Sequence, residues 1–65
     1  MDRVTTQDGL IITIYRLGFR AGHYAEATDL AGRRLAFTGA FRGKGSRHKA
    51  IDAATSRARE ARKEG

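Results

Sequence analysis

The chain has 65 residues, with 13 Lys and Arg against 7 Asp and Glu, no Cys and no Pro, for a formal net charge of +6. That length makes one small domain, 1–65, which buries only about 60% of the surface its extended chain exposes. The absence of Cys excludes disulfides and thiolate metal sites, no apolar run approaches the ~20 residues of a membrane span, and the basic-then-apolar start of a signal peptide is missing, so a cytoplasmic protein is expected, with no membrane partner.

Residues 1–9 are polar and end on the turn signal Asp8-Gly9; they are expected to fray. Residues 10–17, LIITIYRL, are β-branched and aromatic and predict a strand. Residues 18–22, GFRAG, read as a turn, and 23–29 as a second strand. Leu30-Ala31-Gly32 is a tight connection that needs a positive φ at Gly32. Residues 33–42, RRLAFTGAFR, alternate and predict a third strand. Connections this short make 10–42 an antiparallel sheet. Residues 43–45 form a glycine-basic loop, and 46–63 a helix. In that helix Ala50, Ile51, Ala54, Ala58 and Ala61 recur as one stripe, and Ser46 is placed to cap its start. The expected fold is therefore α+β: a three-stranded antiparallel sheet covered on one face by a single C-terminal helix, β-β-β-α.

One helix covers one face. The expected core is Leu10, Ile12, Ile14, Ala25, Ala27, Leu35, Phe37 and Phe41, with Gly39 in the same row. The other face then shows Ile11, Thr13, Tyr15, Tyr24, Glu26, Thr28, Arg34, Thr38 and Arg42. Ile11, Tyr15 and Tyr24 on an open face mark a partner-binding patch or a homodimer interface.

Charge is unevenly placed. Residues 1–32 hold three Arg against four acidic residues, whereas residues 33–65 hold ten Lys or Arg against three. A basic half of this kind attracts polyanions at long range. The candidate phosphate-contacting residues are Arg34, Arg42, Lys44, Arg47, His48, Lys49, Arg57 and Arg59.

The segment Gly43-Lys44-Gly45-Ser46-Arg47-His48-Lys49-Ala50, followed by Ala53-Ala54, resembles the end of a double-stranded-RNA-binding domain. The resemblance covers the family's C-terminal β-β-β-α part, without its first helix. It implies that Arg47 and His48 stand where the family places basic residues that meet phosphates from a helix start. The order of elements also resembles the arm-binding domains of phage integrases. In that likeness Arg34, Thr38 and Arg42 would face DNA. The run Tyr24 to Gly32 resembles HicB-like antitoxins, which bind a toxin.

Catalysis has little support. Ser46 and His48 are close in sequence, but nothing orients the histidine. Glu26 and Asp29 fall on opposite faces of one strand, and Gly43-Lys44-Gly45 is too short for a phosphate-binding P-loop. No catalytic residue, metal ligand or cofactor is assigned. The expectation is a non-enzymatic module that binds DNA or RNA. The alternative is a small phage or mobile-element inhibitor of the anti-CRISPR type, or an antitoxin-like adaptor, docking on an acidic protein or nucleoprotein surface.

Overall fold

The computed structural model describes residues 2–18 and 22–64. Its elements are β1 (Asp2–Thr5), β2 (Ile11–Arg16), β3 (Gly22–Thr28), β4 (Arg34–Phe37), β5 (Phe41–Arg42) and α1 (Ser46–Glu64). The sheet is antiparallel, in the order β1-β2-β3-β4, and β5 pairs β3 on the side that β4 also uses. One helix packs on one face of it. The architecture is thus the expected α+β arrangement, with more strands than the three predicted. Most of the turn predicted over 18–22 lies outside the described residues. Among the described residues no helix is long and apolar enough to cross a membrane.

The added strand is the N-terminal one. Residues 2–5 pair with β2 in the register Asp2↔Ile14 to Thr5↔Ile11 instead of fraying. A tight turn joins the two strands. The Thr6 amide donates to the Leu10 carbonyl at 2.9 Å, and the Leu10 amide donates to Thr6 Oγ1 at 3.0 Å. Val4 turns inward against the core, while Asp2, Arg3 and Thr5 are exposed. Charged and polar side chains of this kind blunt a sheet edge, which is why the strand looks like a polar tail in sequence.

The predicted third strand is broken in two. Phe37 sits opposite Glu26, and Phe41 sits opposite His23. Four steps on one strand therefore match three on the other, which leaves one extra residue, a bulge. Thr38 holds the gap together. Its amide donates to the Ala25 carbonyl at 2.9 Å, and its Oγ1 accepts from the Ala25 amide at 2.9 Å. A hydroxyl oxygen thus replaces a ladder carbonyl. A second register shift lies at Ala27/Thr28, opposite Leu35.

These bulges correct the face assignment. Thr38, expected on the open face, is fully buried. Phe37, expected in the core, is 51% exposed on the opposite face. Leu35 and Phe41 border the core and are only partly buried. Gly39 lies in the interruption with open space at its Cβ position, so it does not serve helix approach.

The core itself is Leu10, Ile12, Ile14, Ala25 and Ala27 from the sheet, and Ala50, Ala54 and Ala58 from α1. Alternation in β2 and β3 puts these sheet residues on one face. Alanines four apart put a flat stripe on the helix. Gly32 has the expected positive φ, 89°, and its amide closes the β3–β4 turn on the Asp29 carbonyl at 3.0 Å.

Candidate nucleic-acid interface

The first helical bond runs from the Lys49 amide to the Gly45 carbonyl at 3.0 Å. Gly45 therefore occupies the cap position, with a φ of 77° that glycine tolerates. Ser46, expected to cap, is instead the first helical residue. Its Oγ is buried and shares a 2.7 Å hydrogen bond with Nδ1 of His23, tying β3 to the helix start. Glycine has no side chain to satisfy the leading amides, so this end of α1 offers N–H groups and the positive pole of the dipole.

Cations gather where that pole is. Arg42 ends β5, Lys44 lies in the loop, and Arg47, His48 and Lys49 fall in the first turn. No acidic residue lies in that turn. Among the described residues, Arg42, Lys44, His48 and Lys49 make no ion pair. Arg47 makes only a loose one, Nη2 to Asp2 Oδ2 at 3.7 Å, and both side chains are well exposed.

Arg16 joins this end. It was not among the cations singled out by sequence. With Asp2, Ile14, His23 and Arg47 it lines a concavity of about 300 Å³ beside the helix start. The signal was present in the alternation: Arg16 follows Ile12 and Ile14 on the helix-covered face and sits opposite His23. Its charge hid that role, because sequence reading assigns charged residues to the solvent.

The other candidates are separated from this cluster and are bound within the fold. Arg59 lies twelve residues beyond Arg47, about 18 Å along the helix. Its Nε and Nη2 donate to Asp8 at 3.0 and 3.1 Å, and Arg62 Nη2 donates to the Asp8 carbonyl at 2.8 Å. Hydrogen bonds from Arg59, then from Thr6, hold the Asp8 carboxyl well below the usual carboxylate range, and Asp8 in turn raises Arg59. Arg57 Nη1 donates to the Phe37 carbonyl at 3.1 Å. Arg34 pairs with Glu26 at 2.9 Å and lies over the Phe37 ring, 5.6 Å from its centroid.

Arg34 belongs to the open face of the sheet, with Ile11, Tyr15 and Tyr24. There Tyr15 and Tyr24 stack at 4.9 Å, with 12° between their planes. Tyr24 then meets Phe37 at 5.9 Å, tilted by 60°. The rings form a row across β2, β3 and β4.

The chain was compared with protein-family models, with curated proteins and with solved structures. It matches none of them. What the molecule does must therefore be argued from its own geometry.

Proposed function

We propose that the chain is a non-enzymatic nucleic-acid-binding module whose working surface is the Arg42–Lys49 end, with Arg16 beside it. One observation carries this reading. A helix stabilised for its own sake starts on acidic residues and a side-chain cap, because its N-terminal pole is positive. Here α1 starts on Gly45, Arg47, His48 and Lys49, with no acid in the first turn. Positive side chains at a positive pole repel each other, and a polyanion relieves that repulsion. The resemblance of Gly43–Ala50 to the end of a double-stranded-RNA-binding domain supports the same surface and favours a duplex. Arg34, Arg57 and Arg59 act first as internal ties and contribute to binding only through the general field.

The test is binding to short DNA and RNA duplexes and single strands over a salt series. Each phosphate released should lower the slope of log affinity against log salt by about 0.9 for duplex, or 0.7 for single strands, when Arg47→Ala or Lys49→Ala removes its partner. The loss should be uniform across sequences, since phosphate contacts carry no sequence information. Arg59→Ala should change the slope far less. Full affinity in the Arg47 and Lys49 variants would remove this end from the site.

A further inference from the structure

The open face of the sheet asks for a second explanation, independent of the basic end. The fully buried core contains only three side chains larger than threonine: Leu10, Ile12 and Ile14. The rest of its apolar set is alanine. Three of the chain's five aromatic residues, Tyr15, Tyr24 and Phe37, instead line the uncovered side. Thr13, between them in β2, is only 5% exposed although no helix covers it. The neighbouring side chains already lean together into a packed layer. Below about 70–80 residues, a single core of this kind is commonly supplemented by disulfides, a metal or self-association. With no Cys in the chain, self-association is the direct route.

We infer that this face is the interface of a symmetric homodimer, with Tyr15, Tyr24 and Phe37 of one copy packed on those of the other. Charge selects the occupant. A polyanion needs available cations, but Arg34 at the centre of the face is already neutralised by Glu26 at 2.9 Å. A two-fold interface needs a patch complementary to itself. An Arg34–Glu26 pair is such a patch, because each copy offers one donor and one acceptor to the other. Arg3 on β1 and Arg42 on β5 lie toward the edges of the sheet, so a central axis keeps like charges apart. Size fits as well. A standard interface takes about 800 Å² per partner, roughly one sixth of the 4611 Å² surface, which is about what one face of a two-layer molecule supplies.

Sedimentation velocity from about 1 μM to about 1 mM reads the equilibrium by mass action. The wild type should pass from monomer to dimer. Phe37→Lys places like charges near the axis and should weaken the dimer at least about tenfold, with an unchanged circular dichroism spectrum. A charge-swap experiment removes any ambiguity over folding. Chains carrying Glu26→Arg should not self-associate, nor should chains carrying Arg34→Glu, but the two mixed together should form a heterodimer. A wild type that stays monomeric throughout would overturn the inference, as would dimers indifferent to Phe37→Lys or swapped chains that fail to pair. Loss of nucleic-acid binding in a monomeric Phe37→Lys chain would give the face to nucleic acid instead. Capture of one defined acidic protein by the monomer would give it to a different partner.

Discussion

At the scale of single residues, Asp8 does more than its place in a surface turn suggests. Its side chain accepts from Thr6 at 2.6 Å and from Arg59, and its carbonyl accepts from Arg62. One aspartate thus clasps the β1–β2 turn to the far half of α1. The sequence announces the turn through Asp8-Gly9, but the arginine partner is 51 residues away and nothing local points to it. The clasp has a pH signature. The folded carboxyl titrates below its ordinary value of 3.8, so in the acid range the unfolded chain binds the proton more readily. The stabilisation is complete above that ordinary value and is lost as pH falls toward the folded one. Melting curves from about pH 5 to about pH 2 at low salt should therefore fall more steeply for the wild type than for Asp8→Asn. Salt should narrow the gap, because the pair is exposed and screened. Parallel acid limbs for the two proteins would show that the clasp contributes nothing.

At the scale of elements, legibility followed the source of each signal. The β2 strand and α1 were read to within a residue or so, because β-branched residues and alanines at helical spacing are properties of contiguous sequence. The β1 strand was missed because an edge strand keeps the polar composition of a loop. The β4–β5 interruption was missed for a different reason: it depends on Thr38 supplying a hydroxyl where the ladder needs a carbonyl. That one residue moved Phe37 from the expected core to the open face and Thr38 the other way. In the candidate site, the cations of the loop and first turn were legible from their clustering. The internal partners of Arg34, Arg57 and Arg59 were not, since they depend on tertiary contacts. Thr38 therefore carries a definite prediction. Thr38→Val keeps the volume but leaves the buried Ala25 amide without its acceptor, and should cost roughly 1–3 kcal/mol in urea unfolding. Thr38→Ser keeps the oxygen and should lose less, with the Ala25 amide still protected from hydrogen exchange. Equal stability of the two variants would mean that the hydroxyl does not bridge the strands.

At the scale of the whole molecule, charge and stability pull against each other at the start of α1. The net charge of +6 is concentrated in the second half, and part of it sits at the helix pole that disfavours it. A small domain with a core rich in alanine has little stability to spare, so this placement calls for a reason beyond folding. Binding a polyanion is such a reason, and it makes the two properties separable in one variant. His48 is the third helical residue, where an acid can reach back to the leading amides and complement the dipole. His48→Glu should raise stability by about 0.3–1 kcal/mol at low salt, while it weakens nucleic-acid binding by placing a negative charge among the phosphates. The two changes should have opposite sign, and both should shrink as salt is added. If His48→Glu instead lowers stability, the cations at this end are held by the fold and are not held in reserve for a ligand. If stability rises and binding is untouched, the helix start is strained but the polyanion sits elsewhere. A gain in one with a loss in the other is the outcome that follows from a helix whose first turn is arranged for its partner.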